Sequence, residues 1–172
     1  MLLEDYESRN TCLKEVMAFM EELVKQIPMT EKLLEIKGVR IKTVFQFFAE
    51  VGDIRRFHNL KELEKLVGLA LVENSSGKHK GKTTTRRRGR KRLRYLLFKV
   101  AMSLVAKNLE FNELHHYYMT RELNPLKKTQ SLMAVTAKLL RVFYAVLTKS
   151  ASYDSKKMVG DIKRPDVYLQ VA

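Results

Sequence analysis

In the stretch Lys91-Arg92-Leu93-Arg94-Tyr95-Leu96-Leu97-Phe98-Lys99-Val100-Ala101-Met102-Ser103-Leu104-Val105-Ala106, the residues Leu93, Leu96, Leu97, Val100, Ala101, Leu104 and Val105 recur at steps of three and four. That period puts them on one face of an α-helix, and no glycine or proline interrupts it. The same period continues downstream. A helix is expected around Glu110–Glu122, stopping near Asn124-Pro125, and a last long one over Lys128–Thr148, with Met133, Val135, Ala137, Leu139, Leu140, Val142, Phe143, Ala145 and Val146. Upstream, residues 30–51 read as two short helices about the turn Ile36-Lys37-Gly38-Val39-Arg40, with Thr30 placed to cap the first. Asn59 with Glu62 forms a capping box before Leu63, Leu66 and Val67. Residues 6–27 carry Leu13, Val16, Met17, Met20, Leu23, Val24 and Ile27 as a near-heptad stripe that suits a coiled-coil partner or packing on the chain's own core. Pro28 ends that helix. No strand pattern competes, and no internal repeat is present. The expected fold is all-α: a helix-hairpin-helix-like motif, a long N-terminal helix and a basic loop. The expected division is an arm over 1–29, a main domain over 30–155 and a polar tail over 156–172.

The chain has 172 residues, 45% of them hydrophobic, with 7 Gly and 3 Pro, which suits a packed core rather than disorder. Its one cysteine, Cys12, excludes an internal disulfide and fits a reducing, cytoplasmic setting. No signal-peptide core and no apolar run near the length that spans a bilayer is evident, so a membrane role is not expected. The formal net charge of +14 calls for a polyanionic partner. Nucleic acid fits better than a lipid surface because the charge is concentrated in one segment.

That segment is the basic loop. Between Lys78 and Arg94 stand ten cations (Lys78, Lys80, Lys82, Arg86, Arg87, Arg88, Arg90, Lys91, Arg92 and Arg94) and no acid. Such a run cannot be buried unpaired. A merely solvated loop would explain its exposure, but not its continuation onto an amphipathic helix that holds Arg90, Arg92 and Arg94 near one place. Contact with about six phosphates would give a salt slope of log affinity on the order of −5. The Gly38 turn adds a second candidate phosphate site, since a short helical hairpin presents backbone N–H groups at the start of its second helix.

Ser75 and Ser76 precede the loop. Serine attacks a phosphodiester only when the charge that develops is stabilised, and clustered guanidinium groups do that. Ser-Ser-Gly is also an ordinary turn sequence, so position alone does not assign a nucleophile. The acids Glu21, Glu22, Glu50 and Asp53 lack metal-site spacing and read as caps or solvated faces. His115 and His116, adjacent on a helix, point about 100° apart and read as ordinary helix residues. Phe45, Phe47 and Phe48 offer rings for base stacking, or for a hydrophobic core.

Several segments, in order and nearly ungapped over roughly residues 30–155, resemble one family. Gly68-Leu69-Ala70-Leu71-Val72-Glu73-Asn74-Ser75-Ser76-Gly77 resembles the Gly-Leu-x-Pro…Ser-Gly segment of the IS110 family of insertion-sequence transposases. Arg88-Gly89-Arg90-Lys91-Arg92-Leu93-Arg94 resembles its Lys-x-Gly-Asn-x-x-Leu-Arg stretch. The Ile36-Lys37-Gly38-Val39 turn, the run from Ala49 to Phe57 and the helix at Ala134–Arg141 resemble its hairpin, its continuation and its closing helix. Leu71 and Lys37 stand where prolines are usual, and Arg90 where asparagine is. The resemblance implies DNA transposition by a serine nucleophile, at Ser76 or alternatively Ser75, that forms a 5′-phosphoserine link. It implies guidance by a bridge RNA and pairing of subunits, here through residues 6–27. It also implies an N-terminal RuvC-like nuclease domain holding Mg2+ on four acids. This chain has no room for that domain, so it is expected to be a truncated form with no cofactor of its own. The expected nucleic-acid contacts are Gly38, Lys78, Lys80, Lys82, Arg86, Arg87, Arg88, Arg90, Arg92 and Arg94. The alternative is a non-catalytic DNA- or RNA-binding module built on the same hairpin and loop.

Overall fold

The computed structural model of the chain describes residues 1–76, 79–85, 88–149 and 151–162, with the backbone alone over 73–76, over 79–84 and at 161. In chain order the elements are α1 (Leu2–Lys25), α2 (Thr30–Leu34), α3 (Ile41–Val51), a 3-10 turn (Ile54–Arg56) and α4 (Leu60–Val67). Then come strands β1 (Leu71–Ser76) and β2 (His79–Thr85), followed by α5 (Lys91–Lys107), α6 (Leu109–Thr120), α7 (Lys128–Lys149) and α8 (Ser155–Met158), which runs into a 3-10 turn (Val159–Asp161). The fold is all-α, with one small hairpin.

The core forms around α5 because its apolar face has partners on several sides. Leu93, Leu97, Val100, Ala101 and Leu104 are buried, and α3, α6 and α7 pack on this helix. From α7, Val135, Leu139, Leu140, Phe143 and Val146 close the core. Phe47 of α3 meets Phe143 edge to face at 5.2 Å, a geometry that adds to simple burial. Phe45 and Phe48 also pack against this core, so these rings serve packing. With 22 residues, α7 is long and apolar enough to cross a bilayer, contrary to the sequence expectation, but here seven of its residues are buried in the core.

Caps fix the helix ends. Asn59 accepts from the Glu62 N–H at 3.1 Å, and the Glu62 carboxylate accepts from the His58 N–H at 3.0 Å. Thr30, expected to cap α2, instead lies inside it. Its hydroxyl turns back to the Val24 and Ile27 carbonyls at the end of α1, each 2.9 Å away. Asn108, buried between α5 and α6, accepts from the Phe111 N–H at 3.3 Å and donates to the Lys37 carbonyl at 3.3 Å. It thereby ties the α2–α3 turn to the far end of α5.

The long helix α1 is anchored at its C-terminal end, where Val24 is buried and the helix meets α3 and α2. Leu13, Val16 and Phe19 stay exposed along it, as does Cys12. The start of the expected polar tail is helical and docks on the core: Met158 is buried, and Ile162 packs against it. Residues 163–172 lie outside the described residues.

Candidate nucleic-acid interface

The largest departure from the sequence reading lies within 73–90, read from the sequence as a loop. The chain there forms an antiparallel hairpin pairing Leu71 with Thr85, Val72 with Thr84, Glu73 with Thr83, Ser75 with Lys80 and Ser76 with His79. β2 carries one residue more than β1 between the Glu73–Thr83 and Ser75–Lys80 pairs, a bulge at which Gly81 is available. Ser76 is thus the last residue of β1, and Lys80 and Lys82 belong to β2. The side chains of Ser75, Ser76, Lys80 and Lys82 lie outside the described residues, as do Lys78, Arg86 and Arg87 altogether.

The base of the hairpin is built by close backbone contact. Gly68 ends α4 in the left-handed conformation (φ 79°), where glycine costs least. The Leu69 N–H returns to the Glu64 carbonyl at 2.9 Å, closing the helix end as a Schellman turn. The returning limb crosses this point at Gly89. A Cβ there would stand 2.5 Å from the Gly68 nitrogen and 2.7 Å from the Leu66 oxygen. Next, the Arg90 N–H donates to the Leu66 carbonyl at 2.8 Å. The sequence reading missed the role of Gly89. The signal was a glycine inside a run of arginines, where nothing but backbone proximity requires it.

The arginines divide into two groups. Arg90 donates through Nη1 to the Glu50 carbonyl at 2.6 Å and lies 3.4 Å from the Glu50 carboxylate. Arg94 donates to the Val67 carbonyl at 3.3 Å. Both thus hold carbonyls at the C-terminal ends of α3 and α4, where a cation is favoured by the helix dipole. These two, expected on phosphates, bind backbone carbonyls and pin α5 to its neighbours. Arg88, Lys91 and Arg92 instead face solvent. Arg92 is 92% exposed, and its nearest acid is Glu50 at 3.8 Å.

These outward cations crowd the start of α5, which has no side-chain cap and no acid in its first turn. Positive charge at a helix N-terminus is unfavourable, so the arrangement stores a local electrostatic demand for an anion. Gly38 is half-buried in a φ +109° turn, and a Cβ there would come within 2.8 Å of Leu104 Cδ2, so it packs closely on α5; it also lines one groove with Arg92.

The acids behave as caps and clamps. Asp53 accepts from the Arg55 N–H at 2.9 Å, and the Arg55 guanidinium holds its carboxyl below the usual carboxylate range. Glu50 faces Arg90 and Arg92. Buried His115 lies, through Nδ1, 2.7 Å from the Ser131 hydroxyl, which is also 3.0 Å from the His115 carbonyl. Burial lowers its pKa, with Lys128 and His116 acting the same way. No three potential metal ligands cluster among the described residues.

The family model described as "Transposase IS116/IS110/IS902 family" matches residues 30–116, from the first residue of α2, through the hairpin, into α6. The chain is also 25% identical over 123 residues to the transposase for insertion sequence element IS1111A of Coxiella burnetii. That alignment covers 72% of this chain and 34% of the relative, so the chain spans about a third of the relative's length. The matched segment takes up half of the chain and holds both limbs of the hairpin with the two glycines that cross at its base. The chain belongs to the IS116/IS110/IS902 family of transposases.

Proposed function

We propose that the chain serves DNA transposition by gripping the sugar-phosphate backbone at the start of α5 and presenting Ser76, on the adjoining hairpin, as the nucleophile. The observation that carries this reading is the trio Arg88, Lys91 and Arg92, exposed around an uncapped, acid-free helix start directly below the hairpin. In the reaction, the Ser76 hydroxyl gives up its proton and its oxygen bonds to phosphorus. The bond from phosphorus to the 3′-oxygen breaks, and that oxygen leaves as a hydroxyl after taking up a proton. The link formed is a 5′-phosphoserine. The outward cations at the hairpin's base hold the flanking phosphates, about 17 Å along β1 from Ser76. A guide RNA, a RuvC-like nuclease domain with its Mg2+ on another polypeptide segment, and self-association through residues 6–27 complete the proposed assembly. The exposed Tyr6 and Phe19 of α1 support the last of these.

The test has two parts. Binding of the chain to labelled DNA weakens steeply with salt, and Arg88→Ser/Lys91→Ser/Arg92→Ser reduces the slope by about 3. When nuclease-bearing subunits and guide RNA are supplied, a covalent protein–DNA adduct forms, is lost in Ser76→Ala and persists in Ser75→Ala. An adduct that survives Ser76→Ala refutes the nucleophile. Salt-dependent binding without any adduct leaves a non-catalytic binding module.

A further inference from the structure

A groove of about 1000 Å³ runs between α1, α3 and α5. It starts at Arg92 and follows one face of α5 through Tyr95, Lys99 and Ser103 to Lys107. These residues fall at steps of three and four, so they share a stripe roughly 22 Å long at 1.5 Å per residue. Arg40 and Lys42, at the start of α3, line the groove as well. All five cations are exposed. The one acid in the lining, Glu50, already faces Arg90 and Arg92.

Charge alone would suit any polyanion, but the groove also presents an aromatic ring. Tyr95 is 65% exposed, with the Lys99 ammonium 5.5 Å from its ring centre. A ring held in water beside a cation is a platform for a base whose phosphate lies next to it. Deeper in, Phe45, Leu96 and Met20 supply apolar surface that a sugar or base edge covers and a phosphate does not. A duplex keeps its bases stacked inside, so a strand that reaches Tyr95 must be unpaired.

We propose that this groove holds an unpaired DNA strand, its backbone tracking from Arg92 to Lys107 and one base stacked on Tyr95. DNA is the occupant because Arg92 belongs both to the groove and to the cation cluster below the hairpin, so the strand here continues the one held there. This inference rests on the reading that the chain handles DNA.

The experiment measures affinity of the whole chain for a fluorescent single strand, the matching duplex and the same strand as RNA. The variants are Tyr95→Ala and Lys99→Gln/Lys107→Gln, all at exposed positions, with unfolding midpoints measured alongside. Tyr95→Ala weakens single-stranded DNA about tenfold and leaves the duplex within about twofold. The double lysine variant weakens the single strand and flattens its salt slope by about 1.4. Unchanged single-strand affinity in Tyr95→Ala overturns the proposal, as does an equal loss for duplex and single strand, or a loss confined to RNA. If the wild-type chain binds duplex through Arg88, Lys91 and Arg92 while the Tyr95 variant behaves normally, the groove alone is refuted. If the wild-type chain binds no DNA, both readings fall.

Discussion

Gly89 is the residue on which the candidate interface turns. Any side chain there meets backbone atoms of Leu66 and Gly68, which cannot rotate away. Gly89→Ala is expected to cost about 2–4 kcal/mol, combining overpacking with loss of the Arg90–Leu66 hydrogen bond. Urea denaturation measures this, and a loss below about 0.5 kcal/mol would mean the two limbs separate freely. The sequence marked this segment by its charge but not by how its residues are used. Arg90 and Arg94 were legible as cations, but not as partners of the Glu50 and Val67 carbonyls, because such contacts join positions 40 and 27 residues apart. Gly38 was legible as a turn residue, but its contact with Leu104 was not. The Asn59–Glu62 cap was readable because both partners lie within one helical turn.

At the scale of elements, the long amphipathic helices were readable because many residues repeat the same period. Predicted and observed bounds of α5 and α7 agree to within a residue. The hairpin was not readable, because neither strand alternates apolar with polar residues and basic side chains dominate the run. Two weak signals were present: three successive threonines at 83–85, and a Gly-x pair separating Ser76 from His79. The start of α5 yields a prediction of its own, since stability and binding make opposite demands there. Lys91→Glu places an acid at an uncapped helix start, so it should stabilise the fold by about 0.3–1 kcal/mol while weakening DNA binding. Thermal unfolding and anisotropy titration of one variant read both effects. Weaker binding with lower stability would count against a dipole conflict at this site.

Across the whole molecule, the hairpin, its anchoring carbonyls and the cation cluster are held by helices that share one core. α4 is tied to α7 by Arg141, which donates to Glu64 at 3.2 Å. The turn after α3 is tied to α7 by the Tyr144 hydroxyl, which donates to the Phe57 carbonyl at 3.3 Å. The family match ends at His116, before α7 begins, yet Phe143, Leu139 and Leu140 of α7 are fully buried in that core. The stretch by which the family is recognised is therefore smaller than the body that must fold around it. A polypeptide cut to residues 30–116 would leave the apolar side of α5 facing water, and it should precipitate or give a collapsed state without a cooperative melt. The stretch 30–162 should melt sharply. A sharp melt from the shorter piece would mean that recognition and folding share one boundary after all.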